Sequence, residues 1–237
     1  NGTATIPFTA YDSKGVSVVS GTVNVLVASQ TTTPPASTTP STPSTTKTFS
    51  DVPAGAWYYN DVTTLAAAGI IGGYSDGTFR PEKAVNYGEA LKLILLAAGY
   101  PEQAQAAGAN WAANYLNLAI SNGILSGSAS DYSLTKEISR NDMAAMAAKA
   151  MKLTPVTSGT SPYADTNDGY VRALTDAGIV SGDTTSGQRI WNGTRSLNRA
   201  EISKIVLAMR QRTSSGTTRP APTVDTNAPG WITNPSK

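Results

Sequence analysis

The chain has 237 residues, 18 basic against 16 acidic side chains, a formal net charge of +2, and neither cysteine nor histidine. Those two absences exclude cysteine nucleophiles, Ser-His-Asp triads, thiolate zinc sites and histidine pH switching. A charge this balanced, without runs of Lys or Arg, argues against a nucleic-acid partner. No apolar stretch approaches the ~20 residues of a membrane-spanning helix, so membrane insertion is not expected.

Residues 1–29 alternate in polarity. Ala4, Ile6, Phe8 and Ala10 share one face of a predicted strand, and Val23, Val25 and Val27 share one face of a second. Asp12-Ser13-Lys14-Gly15 is the expected turn. The segment reads as the C-terminal hairpin of an immunoglobulin-like β-sandwich. A chain that begins at Asn1 without Met or signal peptide is expected to be a processed product or a piece of something longer. Residues 30–48 are almost entirely Thr, Ser and Pro, too polar to bury, and are expected to act as an extended spacer.

From residue 49 a degenerate unit recurs three times at about 55-residue spacing, over 49–100, 101–154 and 155–212. Each copy holds a first helix that ends in Gly-Ile: Gly69-Ile70, Gly123-Ile124 and Gly178-Ile179. The glycine is the expected left-handed C-cap. A polar loop then leads to a second helix that opens with a small polar residue and an acid three places on, as in Asn86/Glu89, Ser139/Asp142 and Asn198/Glu201. Apolar residues recur at i, i+3, i+4 and i+7 in both helices: Val62, Leu65, Ala66 and Gly69; Leu91, Ile94, Leu95 and Ala98; Ala112, Tyr115, Leu116 and Ala119; Met143, Met146, Ala147 and Ala150; Val171, Leu174 and Gly178; Ile202, Ile205, Val206 and Met209. Six narrow stripes predict a mainly α bundle in which three helices face a common axis. Residues 213–237 return to a Ser/Thr/Pro/Gly tail, in which Trp231 and Ile232 are candidates for docking back.

These features resemble the S-layer homology family, whose domains occur as three tandem copies. The resemblance is carried by Phe49-Ser50-Asp51-Val52, Trp57-Tyr58, Gly69-Ile70-Ile71-Gly72-Gly73-Tyr74, Asp76-Gly77-Thr78-Phe79-Arg80-Pro81, and Leu197-Asn198-Arg199-Ala200-Glu201. It covers about two thirds of the chain. It implies a pseudo-threefold trimer of helix-loop-helix units around a central helical bundle. Grooves between the units would hold secondary cell-wall polysaccharide, ending in a pyruvylated N-acetylmannosamine, and so tether a secreted protein to the bacterial surface without catalysis or cofactor. Neighbouring surface-layer proteins are the other partners implied.

Carried over by position, the family's Arg role falls to Arg140 and Arg199, with Tyr87-Gly88 replacing it in the first copy. The Asp role falls to Asp51 and Asp165, the aromatic role to Trp57 and Trp111 with Tyr170 in the third copy, and the Gly role to Gly73, Gly127 and Gly182. The second copy lacks the Phe-x-Asp opening and the Asp-Gly-Thr-Phe loop.

Chemically, an acidic sugar needs a charge partner, backbone donors and an aromatic platform. Helix N-termini with a forked guanidinium in the first turn could supply the first two. The residues alone leave a plainer reading open, in which the acids cap their helices and each Arg bridges to a neighbouring carboxylate. Trp57 and Trp111 serve equally well as core, Asp51 and Asp165 as turn residues, and the three glycines as turn glycines.

Asp165-Thr166-Asn167-Asp168-Gly169 fails as a calcium loop, because Gly169 and Tyr170 stand where an oxygen ligand and the hinge glycine belong. Asn192-Gly193-Thr194 fits a glycosylation sequon but reads as a turn. An enzyme would have to work with carboxylates alone, from Asp51, Glu89, Asp142 and Glu201. Three of them, Glu89, Asp142 and Glu201, recur at the capping position of each copy, which suits architecture better. The competing function class is protein–protein contact or surface-layer self-assembly through the same grooves, or attachment to peptidoglycan.

Overall fold

The computed structural model describes residues 2–11, 17–27, 48–105 and 108–214, and contacts divide the chain between Pro43 and Ser44. In the first unit β1 (Gly2–Tyr11) pairs antiparallel with β2 (Ser17–Val27), with Gly2 opposite Val27 and a register shift between Ala10 and Tyr11. The expected turn at Asp12–Gly15, the Thr/Ser/Pro spacer up to residue 47, and Trp231 with Ile232 lie outside the described residues.

The second unit is mainly helical. Its α-helices among the described residues are α1 (Tyr59–Ala67), α2 (Tyr87–Ala97), α3 (Ala113–Ser121), α4 (Arg140–Ala150), α5 (Gly169–Asp176) and α6 (Arg199–Ser214), with a short 3-10 turn at Ala129–Asp131. A short antiparallel ladder, β3 (Asp183–Thr185) with β4 (Gln188–Ile190), follows α5 and has no counterpart in the sequence reading.

The Gly-Ile pairs explain how α1, α3 and α5 stop. Gly69, Gly123 and Gly178 adopt φ of +67°, +68° and +71°, and the following isoleucine reaches back over the last turn. Ile70 N–H donates to Leu65, Ile124 to Ala119 and Ile179 to Leu174, each at 2.9 Å. This six-to-one closure satisfies an orphan carbonyl and places each isoleucine, at most 4% exposed, in the core. Glycine is required because a side chain at that φ strains the backbone by about 1 kcal/mol or more.

The second helices start on their own side chains. Asn86 and Glu89 form a reciprocal capping box with both bonds at 2.9 Å, and Asn198 and Glu201 repeat it at 2.9 and 3.0 Å. Ser139 accepts from Asp142 N–H at 3.1 Å. The shorter carboxylate of Asp142 meets the serine hydroxyl at 2.8 Å instead of the backbone.

The residue ahead of each cap ties the three copies together. Val85 N–H donates to Leu197 O, Leu197 N–H to Ile138 O, and Ile138 N–H to Val85 O, at 2.9, 3.0 and 2.9 Å. The three bonds close a ring. All three side chains are 0% exposed, and burying each contributes about 2 kcal/mol. Around this ring each second helix packs on the first helix of the next copy: α2 on α3, α4 on α5, and α6 on α1.

One expectation needs correction. A narrow stripe was predicted for every helix, but α2 is buried on all sides from Gly88 to Ala97. It lies between α3, α4 and α6, so even Lys92 is 0% exposed, with its ammonium 3.2 Å from Glu102 and over the Tyr115 ring.

Candidate functional site

The sequence reading relied on free backbone donors at helix starts. The structure overturns this. At α4, Arg140 N–H donates to Arg195 O and Asn141 N–H to Gly193 O, at 3.0 and 2.9 Å, and Asp142 and Met143 donate to Ser139. At α6, Arg199 and Ala200 donate to Lys83 and Pro81, and at α2, Tyr87 and Gly88 donate to Lys136 and Leu134. The loop of the neighbouring copy has taken the donors an anion would use. Any charge recognition therefore falls to side chains.

Arg140 is 6% exposed, and its guanidinium lies 4.3 Å above the Trp191 ring. Nη1 donates to Glu201 Oε1 at 2.9 Å, and Nη2 is 3.7 Å from Asp183. Among the described residues its buried Nε has no hydrogen-bond partner. Glu201 also holds Arg195, whose Nη2 and Nη1 reach its two oxygens at 2.5 and 3.1 Å. Burial works against a charged Glu201, but the Arg195 hydrogen bond, the Asn198 N–H and the two arginine charges outweigh it and hold the carboxyl below its usual range.

Of this cluster Arg140, Asp183, Trp191 and Glu201 line an open crevice of about 290 Å³, together with Trp57, Gly182 and Lys204 among others, while Arg195 stands behind Asp183 and Glu201. That volume is near the small end of ligand pockets, about 300–1,000 Å³. Three predicted residues meet here, one from each copy: Trp57, Arg140 and Gly182. Trp57 is the exposed large apolar side chain of the described residues, at 57%. Its ring lies edge-on to Tyr58 and 5.7 Å from the Lys204 ammonium. A residue with a side chain at position 182 would collide with the Tyr163 ring and the Ile190 carbonyl, and φ is +68°. Only glycine lets the crevice floor lie this close.

Arg199 occupies a different environment. It is 1% exposed, with its guanidinium 4.7 and 4.4 Å from the Tyr74 and Phe79 rings and Nη2 3.4 Å from Gly72 O. Burial pushes its pKa down to about 10, against the pull of Tyr74 and the nearby acids. Gly73 packs against Phe49, where a Cβ would come within 2.5 Å of the ring.

The remaining sequence candidates are placed as follows. Asp51 accepts from Phe79 N–H and Arg80 N–H, both at 2.7 Å. Asp165 accepts from Trp191 N–H and Asn192 N–H at 2.7 and 2.6 Å. Each carboxylate clamps the loop between first and second helix in its own copy. For Asp165, desolvation opposes the charge, but the two backbone donors prevail and hold the carboxyl low. Trp111 is half-buried against the core, and Gly127, φ +87°, packs beside Asp131. Neither lines the Arg140 crevice.

Sequence reasoning missed Arg195, Asp183 and Lys204. Arg195 was legible as the residue four ahead of Arg199, matching Lys83 four ahead of Tyr87. Asp183 follows the Gly182 position as Tyr74 follows Gly73.

The site is a crevice beside helical hairpins, walled by an arginine and a tryptophan. Residues 48–91 match the S-layer homology domain. The chain is 36% identical over 87 residues to the surface-layer 125 kDa protein of Lysinibacillus sphaericus, covering 34% of this chain and 7% of that protein. It is 28% identical over 169 residues to an uncharacterized cell wall amidase of Bacillus anthracis, covering 68% and 31%. It is 52% identical over 46 residues to the outer membrane protein SlpA of Thermus thermophilus, covering 19% and 5%. The chain thus spans less than a third of the length of these relatives. Among the described residues no helix is long and apolar enough to cross a membrane.

Proposed function

We propose that this chain is a non-catalytic anchor at the bacterial cell surface, holding an acidic terminus of cell-wall polysaccharide in the Arg140 crevice. The cyclic Val85–Leu197–Ile138 bonds support reading the three copies, 49–100, 101–154 and 155–212, as a pseudo-threefold trimer around α2, α4 and α6. On that reading residues 1–29 end a preceding β-sandwich, 30–48 form a linker and 213–237 a tail. The relatives, a surface-layer protein and a cell wall amidase, support a cell-wall location and leave surface-layer proteins as neighbours.

One observation carries the ligand assignment. The crevice joins a nine-tenths buried guanidinium to a tryptophan left more than half exposed. An exposed indole invites the apolar face of a sugar ring, and a shielded guanidinium attracts a carboxylate more strongly than one in water. Catalysis is disfavoured because the four candidate acids already have structural work. Asp51 clamps a loop, Glu89 and Glu201 close capping boxes, and Asp142 accepts from the Ser139 hydroxyl.

The test is sedimentation of the protein with purified cell walls, before and after removal of accessory polysaccharide, and with pyruvylated or unpyruvylated N-acetylmannosamine as competitor. Binding lost with the polysaccharide and competed only by the acidic sugar is the expected result. Binding retained on stripped walls would assign the crevice to protein or peptidoglycan.

A further inference from the structure

Two guanidinium groups converge on one exposed acid at the crevice mouth. Asp183 Oδ2 lies 3.7 Å from Arg140 Nη2 and 3.9 Å from Arg195 Nη2. Both distances exceed a hydrogen bond, and the Asp183 side chain is 51% exposed. By contrast, Glu201, which holds the same two arginines from the buried side, has a side chain 14% exposed and makes short hydrogen bonds. The two acids therefore differ in kind. Glu201 is a fixed part of the fold, while Asp183 is a loosely held anion facing solvent.

The first copy shows what stands at the same register when no acid is present. Tyr74 follows Gly73 as Asp183 follows Gly182, and Lys83 occupies the position of Arg195. Lys83 Nζ donates to the Tyr74 hydroxyl at 3.1 Å, and the Tyr74 ring lies against Arg199. A neutral ring covers one arginine, and a charged carboxylate sits before the other.

We infer that Asp183 is an internal occupant of the anion position shared by Arg140 and Arg195, which an incoming carboxylate takes over by displacing it. The inference rests on the anchoring proposal and adds a specificity determinant to it. Arg140 and Arg195 together carry two positive charges against one buried acid, Glu201. Asp165 and Glu82 also act on the pair from a distance, while Asp183 is the exposed acid within 4 Å of both guanidinium groups. Lys204 stands on the opposite wall beside Trp57. A neutral ligand gains nothing from this arrangement. A carboxylate must compete with Asp183, so only one with two-pronged contact or an adjoining ring on Trp57 binds well. Asp183 in this way rejects small free anions.

The experiment compares the wild-type protein with Asp183→Asn in calorimetric titrations with pyruvylated N-acetylmannosamine, unpyruvylated N-acetylmannosamine, and acetate. Removing one negative charge a few ångströms from the bound carboxylate is expected to tighten the acidic sugar about tenfold at low salt. The gain should shrink at about 1 M salt, where the screening length falls to ~3 Å. Acetate binding should become measurable in the variant alone, and the neutral sugar should be unaffected. Because Asp183 is exposed and weakly bonded, the thermal midpoint is expected to stay unchanged, which keeps the comparison clean.

Wild-type binding of the acidic sugar with no gain in Asp183→Asn overturns this inference and leaves the anchoring proposal standing. An equal gain for the neutral sugar overturns it too, by showing a steric rather than an electrostatic role. Failure of both proteins to bind the acidic sugar overturns both readings.

Discussion

Arg140 and Arg199 stand at the same point of two second helices, and the structure puts them to different uses. Both stack on an aromatic side chain of another copy, Trp191 for Arg140 and Phe79 for Arg199. Arg140 has acids for company and a crevice beside it. Arg199 is enclosed by rings at 1% exposure. A repeated motif thus yields one buried charge that borders a crevice and one internal strut, and the difference is made by residues that belong to other copies. In the third position, at α2, Gly88 stands in place of alanine and Tyr87 in place of arginine. There a Cβ on Gly88 would come within 2.9 Å of Ala112, and burial pushes the Tyr87 hydroxyl well above its usual range, with Asp142 adding to the shift.

The contrast can be broken most forcefully at Glu201. Replacing it with Gln leaves Arg140 and Arg195 without their shared carboxylate and weakens the α6 cap, so a stability loss of about 3 kcal/mol is expected in urea or thermal unfolding. Next, Arg140→Gln should weaken cell-wall binding by about a hundredfold, the scale of a lost shielded charge pair, while Arg199→Gln should lower stability and leave binding by the folded fraction intact. Equal binding losses in sedimentation would make the two arginines equivalent after all.

Trp57→Ala should reduce wall binding about tenfold through loss of the stacking face, with an unchanged thermal midpoint because the side chain is already exposed. The smallest effect concerns acid. Glu201 and Asp165 both have native carboxyl groups held below their unfolded values, so their contribution is present above those values. It is lost as pH falls through the lower native ones. The thermal midpoint should therefore decline below about pH 4.5, and the Glu201→Gln variant should decline less steeply.

Much of this architecture could be read from the chain. The 3.6-residue pattern located α1 to α6 but not the short 3-10 turn at Ala129–Asp131, and predicted apolar positions such as Val62, Leu91, Tyr115, Met143, Val171 and Ile202 are buried, whereas Gly178 is exposed. Gly-Ile and Asn-x-x-Glu gave helix ends because capping is local chemistry, decided within six residues. The site was legible only as a set of candidates. Trp57 and Trp111 look alike in sequence, and exposure separates them. The family resemblance gives Asp51 and Asp165 ligand roles, and the structure adds what the sequence hides, that their oxygens accept from backbone N–H groups more than twenty residues away. The loss of free N–H groups at helix starts was illegible for the same reason, since the acceptors come from a different copy. Asp183 could be placed by its register after Gly182, but nothing local marks it as a partner of Arg140 and Arg195. It matters only because α4 and the loop after α5 are brought together.

The ring through Val85, Ile138 and Leu197 has a consequence for how such a chain can change over generations. In an open superhelical stack, a gene may gain or lose a copy at either end and the rest survives. Here Val85, Ile138 and Leu197 each give and take one bond, so deleting any one segment would leave the other two with an unmet donor and an unmet acceptor. The loops carry no such constraint, and in one of them Asp183 stands where the first copy has Tyr74.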